Sequence, residues 1–302
     1  MREVWTEWKR FKSGNQTVDA RVIHPHSESG DLILFCPGFL GGGATIYEQA
    51  HADQVREEDY TQIILRHNGT ILDGPHSDFI LNTEQYPKAT THHHDGWIGG
   101  KPSSLAEWLV EPQVVLEDVG FAYSNIYIFG HSFGAVALLN SLANLHEGGH
   151  HILERIRACA LLAPALGTLH GSDEENIMRI WHEDFLASPA ITEKIGLSDD
   201  PASFQMAMKN IYRFLPQRVA ALSGSIRFNF LHIAKDEYIR ESDVRGFAEA
   251  CNRGEVVIDN IDRPHRGRGA VDAHDMPDYP TELLLQLIEI SGGLTDVTKR
   301  MK

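Results

Sequence analysis

Cysteine is scarce: among 302 residues only Cys36, Cys159 and Cys251 occur, with no CxxC spacing. A disulfide-rich mini-domain is thereby excluded, and three buried, reduced thiols are the expectation. Long apolar runs are missing too. No stretch approaches the roughly 20 residues that a membrane-spanning helix needs, so no membrane span is expected. Met1-Arg2-Glu3-Val4-Trp5 is not followed by the apolar core of a secretory signal. A cytoplasmic location is the expectation from these absences. Positive charge is short as well. Lys and Arg number 27 against 42 Asp and Glu, a net charge of −15 with histidine neutral. Such a surface repels phosphate backbones, and no nucleic-acid partner is expected. No internal repeat is visible.

What remains is a globular composition, 42 % hydrophobic and 23 % charged, on a length that suits one large α/β domain or two ordinary ones. Short β-rich runs alternate with helical patterns. Runs at 4–11 and 17–24 flank the turn Ser13-Gly14-Asn15. Continuous apolar runs follow at 32–36, 62–66, 125–129, 159–163, 228–234 and 256–258. Runs of that kind suit strands buried on both faces. Between them, Leu105, Trp108, Leu109, Val115, Leu116 and Val119 share one face at helical spacing. Pro112 interrupts that stretch and either kinks one helix or begins another. Residues 133–145 are apolar nearly all round, and 280–290 reads as a closing helix with Leu284, Leu287 and Ile288 inward. This alternation predicts a mostly parallel, eight-stranded sheet with helices on both faces. Residues 168–222 carry aromatic and methionine side chains but no strand, and read as a helical insertion. The stretch 73–100 is long for a loop, and loops of that length are usually functional or disordered.

One motif carries chemistry. Gly130-His131-Ser132-Phe133-Gly134 ends an apolar strand and opens an apolar helix. A serine on so tight a strand-to-helix turn is pushed out above the sheet, and side chains two residues to either side would collide. The helix N-terminus behind it favours an oxyanion. Ser132 is therefore the candidate nucleophile.

On this motif and the strand–helix order around it, the chain resembles the α/β-hydrolases over most of its length. The resemblance implies a core of 1–167 and 223–302 with 168–222 inserted as a helical cap. It implies that Phe39 and Phe133 N–H form an oxyanion hole, with Pro37 where the family often has His, and that Gly41-Gly42-Gly43 keep the loop open. No GK[ST] follows those glycines, which argues against a P-loop. Family order places an acid after the seventh strand and a histidine before the last helix. Asp236 is the candidate acid, beside Glu237. His274 is the candidate base, and His265 the alternative. His131, Trp181 and Phe185 are candidates for the substrate pocket, although His131 also has the place of a structural histidine in the elbow.

A serine needs a base, and the base an acid that holds its tautomer. The expected function is ester hydrolysis of a small acyl substrate through Ser132, His274 and Asp236. Amide, thioester or C–C hydrolysis and acyl transfer share the same triad, and a non-catalytic ligand-binding homologue is the remaining alternative. No cofactor is expected. The adjacent His92, His93 and His94 read as a solvated loop rather than a metal site, because neighbouring residues do not readily face one ion. Arg263, Arg266 and Arg268 form a basic cluster that could meet an acidic substrate group.

Overall fold

A computed structural model describes residues 5–25, 30–39, 60–68, 103–185, 197–222, 224–234, 236–252, 255–259 and His274. Two N-terminal strands, β1 (Trp5–Ser13) and β2 (Gln16–His24), form a hairpin. Its two-residue turn carries a positive φ of 56° at Gly14, the position where loops of this length favour glycine. The strands β3 (Asp31–Cys36), β4 (Thr61–Leu65), β5 (Asn125–His131), β6 (Ile156–Leu162), β7 (Arg227–Ile233) and β8 (Glu255–Asp259) follow.

These strands make one sheet in the order β1-β2-β4-β3-β5-β6-β7-β8. Only β2 runs against its neighbours; every pairing from β4 to β8 is parallel. Parallel pairing requires crossovers, and helices supply them. They are α1 (Leu105–Trp108), α2 (Glu111–Val119), α3 (Phe133–Glu147), α4 (Pro201–Ala220) and α5 (Glu241–Cys251). A short 3-10 turn, His151–Arg155, precedes β6, and a turn of π-helix spans Ile180–Phe185.

Pro112 begins a new helix: it occupies the first turn of α2, where its missing N–H has no intrahelical role. The preceding α1 is opened by a capping box between Ser104 and Glu107 and ends at its C-cap Leu109. Asp199 Oδ2 also accepts the Leu105 N–H at 2.7 Å, which ties the approach to α4 onto the start of α1. Along β3 to β7, alternate residues such as Leu32, Leu34, Ile63, Leu65, Ile126, Ile128, Phe228 and Phe230 pack into one core with α2, α3 and α4. Within that layer Arg218 of α4 reaches α3, donating to Asn140 Oδ1 at 2.8 Å, Asn144 Oδ1 at 2.6 Å and Glu147.

The shared direction of the strands decides where chemistry can occur. The C-terminal ends of β3, β5, β6 and β7 lie side by side, and each feeds a loop into the crevice above the sheet. Pro37-Gly38-Phe39, Ser132, Ala163 and Asp236 all lie at those ends. No helix among the described residues is long and apolar enough to cross a membrane.

Candidate active site

Ser132 joins β5 to α3 with φ 50° and ψ −120°. A non-glycine residue in such a conformation costs about 1–3 kcal/mol and persists only where its surroundings hold it. Three contacts do so. The Ser132 N–H donates to Leu162 O at 3.0 Å, and the Ser132 carbonyl accepts the N–H groups of Ala135 and Ala165, each at 3.1 Å. Glycine is demanded on both sides of the motif. A Cβ on Gly134 would lie 2.1 Å from Cys36 O and 2.3 Å from Pro37 O, and one on Gly130 would lie 2.9 Å from Ala135 Cα. The end of β3 thus runs against the first turn of α3. Gly38 is also tightly placed, since a Cβ there would sit 3.0 Å from His131 Nδ1 and 3.2 Å from Ser132 Cβ.

Beside the elbow, His274 Nδ1 lies 2.9 Å from Asp236 Oδ2. Both side chains are buried, the carboxylate completely. Burial by itself would raise the Asp236 pKa. The hydrogen bond and charge of His274 and the N–H groups of Ile239 and Tyr238 outweigh it, and the carboxyl lies below its ordinary value. An ionised Asp236 accepts from Nδ1–H and leaves Nε2 of His274 as the basic nitrogen. The imidazole is confined by two further rings. Tyr238 meets it edge-on with centroids 5.2 Å apart, and His131 lies tilted at 4.9 Å.

His131 has a defined duty within this arrangement. Its Nε2 is 3.0 Å from the His274 carbonyl, which can only accept, so that nitrogen carries the hydrogen. The elbow and the His274 backbone are thereby linked. Trp181 is buried, and its Nε1–H donates to Tyr212 Oη at 2.9 Å. Tyr212 Oη–H in turn donates to Ala165 O at 2.7 Å. Burial pushes the Tyr212 phenol up, so it keeps its proton. A chain of hydrogen bonds therefore runs from the Ile180–Phe185 turn to the carbonyl of the serine.

Phe39 sits among aromatic rings, with centroids of Trp181 at 5.4 Å, Phe204 at 5.7 Å, Trp108 at 5.8 Å and Phe133 at 6.0 Å. Pairs at these distances and steep angles contribute about 0.5–1.5 kcal/mol each beyond their buried area. The Phe39 N–H follows directly on Gly38. Phe133 N–H is the first amide of α3, where a helix has no internal acceptor. His265, Gly41 to Gly43, His92 to His94, Arg263, Arg266, Arg268, the side chain of Phe185 and the closing helix lie outside the described residues. Among the described residues, no group of three His, Cys, Asp or Glu side chains is placed to hold a metal ion.

Three solved structures share this architecture over nearly their whole length. Est1E from Butyrivibrio proteoclasticus, with ferulic acid bound, covers 94 % of this chain and 98 % of its own at 14 % identity, TM-score 0.58. The fold is that of the α/β-hydrolases. Mouse alpha/beta hydrolase domain-containing protein 10 covers 95 % and 99 % at 15 % identity, TM-score 0.57. A thioesterase domain from the curacin biosynthetic pathway covers 94 % and 99 % at 10 % identity, TM-score 0.52. No family model and no curated protein sequence matches the chain. At these identities the likeness to these proteins is one of fold.

Sequence reasoning passed over two further groups at this end of the sheet. His67, just after β4, lies 2.6 Å by its Nδ1 from Glu111 Oε2, and both are buried. They are 44 residues apart, so no local spacing announces the pair.

Proposed function

We propose that the chain is a serine hydrolase acting on carboxylic esters through Ser132, His274 and Asp236. The observation that carries this reading is the His274–Asp236 hydrogen bond beside a serine in strained elbow conformation. In the proposed reaction, Ser132 Oγ attacks the acyl carbonyl while His274 Nε2 takes its proton. Asp236 holds the ring and balances the imidazolium that forms. Phe39 and Phe133 N–H receive the developing oxyanion, a contribution worth about 3–4 kcal/mol per donor in such sites. His274 returns the proton to the leaving alcohol, and water then releases the acyl group from Ser132.

Within residues 168–222 we assign the capping role to the part before α4. The helix itself is tied into the layer over the sheet through Arg218, whereas Trp181, which precedes it, packs against Phe39. Cys36, Cys159 and Cys251 are buried thiols, which fits a reducing, cytoplasmic compartment.

A fluorophosphonate probe tests the nucleophile. It is expected to label Ser132 stoichiometrically, and Ser132→Ala is expected to lose both labelling and turnover of a p-nitrophenyl ester. Unchanged turnover in Ser132→Ala overturns the assignment. The same protein, assayed on matched ester, amide and thioester substrates, decides the bond type; faster cleavage of the thioester or amide than of the ester overturns the ester reading. Saturable ligand binding without any turnover or labelling marks a binding protein.

A further inference from the structure

The end of β4 carries a buried polar pair that the triad does not use. His67 Nδ1 faces Glu111 Oε2 at 2.6 Å, and His67 Nε2 faces the Pro37 carbonyl at 3.3 Å. A carbonyl oxygen only accepts, so Nε2 carries a hydrogen. One remaining proton is shared between Nδ1 and the carboxyl. The pair is neutral overall whether it is written as imidazolium and carboxylate or as imidazole and carboxylic acid. Burial raises the Glu111 pKa against the opposing pull of His67 and of the Asn68 N–H. Glu111 Oε1 accepts that N–H at 2.8 Å. The imidazole also stacks on Trp108, with centroids 4.6 Å apart and planes 15° from parallel. Trp108 is held in turn by donating Nε1–H to Asn68 O at 2.7 Å.

The object of this machinery is one carbonyl. Pro37 O belongs to the peptide group immediately before Gly38, and the next peptide group bears the Phe39 N–H. On its far side the same carbonyl presses on Gly134, where a Cβ would come within 2.3 Å. Orientation of the Pro37–Gly38 peptide therefore decides where the Phe39 N–H points relative to Ser132. Trp108 contacts both the His67 ring and the Phe39 ring, so one indole braces both ends of the arrangement.

We infer that His67 and Glu111 are positioning residues for the oxyanion hole, with His67 Nε2–H orienting the Pro37 carbonyl and Glu111 keeping that proton on Nε2. The inference rests on the proposed role of Ser132 as nucleophile and of Phe39 N–H as an oxyanion donor. It adds a second buried histidine–carboxylate pair that never touches substrate.

His67→Phe keeps the ring against Trp108 and removes the donor. It is expected to lower kcat on the best ester about 10- to 100-fold with KM within about threefold, because an oxyanion donor acts in the transition state. His67→Gln restores an N–H near the Nε2 position and is expected to recover kcat to within about fivefold of the parent, where a purely packing role gains nothing. Should His67→Phe not fold, His67→Phe/Glu111→Gln keeps the acceptor for Asn68 N–H without a buried charge and is read in the same way. A kcat within twofold of the parent in the His67→Phe protein, or a loss in His67→Gln as deep as in His67→Phe, overturns the inference. Fluorophosphonate labelling of Ser132 in parent and variants separates the two readings. An unlabelled parent removes the nucleophile and this inference with it. A labelled parent with an indifferent His67→Phe removes this inference alone.

Discussion

Adding a single methyl group to the chain at Gly134 tests how the nucleophile and the end of β3 are held together. The Cβ of Gly134→Ala would stand 2.1 Å from Cys36 O, 2.3 Å from Pro37 O and 2.6 Å from Cys36 C. Real Cβ atoms essentially never come closer than 3.0 Å to another heavy atom, so about 0.9 Å must open at this contact. All three atoms are backbone, and no rotamer change relieves them. Either the first turn of α3 or the Cys36–Gly38 segment has to move. The first bears the Phe133 N–H and the second leads directly into the Phe39 N–H, the two proposed oxyanion donors, and a displacement of about 1 Å costs roughly 100-fold in rate. Overpacking of this kind costs about 1–3 kcal/mol, against which alanine recovers no more than about 1 kcal/mol of helix propensity. Gly246→Ala is the matched control. It lies within α5, and its Cβ would meet Thr168 Oγ1 at an ordinary 3.5 Å. There the same substitution is expected to stabilise by about 0.5–1 kcal/mol and leave turnover unchanged. Urea denaturation and p-nitrophenyl ester hydrolysis on both variants decide the matter. Parental turnover in Gly134→Ala would refute the proposed packing of β3 on the elbow.

Asp236→Asn is expected to lower kcat about 10⁴-fold, since the amide favours the wrong His274 tautomer. It also carries a pH signature. The folded pKa of Asp236 lies below the ordinary value near 4, so its stabilisation is fully present above that value and is lost as pH falls through the folded one. The difference in urea stability between parent and Asp236→Asn should therefore narrow between pH 5 and pH 2.5; a constant difference contradicts the assignment. Tyr212→Phe leaves the buried Trp181 Nε1–H and the Ala165 carbonyl without the hydroxyl that joins them. A loss of about 1–3 kcal/mol in denaturant unfolding is expected. An unchanged midpoint would mean that the connection from Trp181 to Ala165 bears no load.

Much of the fold was legible because the buried strands are short, apolar and closed by glycine or proline. The run 32–36 before Pro37 and the run 125–129 before Gly130 identified themselves in this way, and the elbow followed from the second. Asp236 stood out only through its place after β7. His265 and His274 were a different matter. Both precede the closing helical pattern, and spacing alone does not decide between them. What distinguishes His274 is tertiary: its Nδ1 faces Asp236, and its carbonyl faces His131. The order of strands was equally hidden, since β4 lies between β2 and β3 although it follows both in sequence. That placement carries His67 to Pro37 and Glu111, and no periodicity in the chain encodes it. Pro112 could not be read as a kink or as a start from spacing alone; the end of α1 at Leu109 and the start of α2 at Glu111 make it a start.

The strained backbone of Ser132 bears on how the molecule assembles. Its conformation is sustained by Leu162 at the end of β6, by Ala165 beyond it, and by the Cys36–Gly38 segment packed on Gly134 and against Ser132. These supports come from parts of the chain that are far apart, joined only by parallel pairing, which is slow to form because long loops must close first. A nascent chain that has made β5 and α3 but not β6 has the motif without the geometry, and relaxation of the serine is then downhill. The elbow is thus expected to be among the last features to take shape during folding. With Ser132 as the proposed nucleophile, recovery of its fluorophosphonate labelling during refolding should lag behind the return of helical signal, making that serine a reporter of a fully assembled sheet.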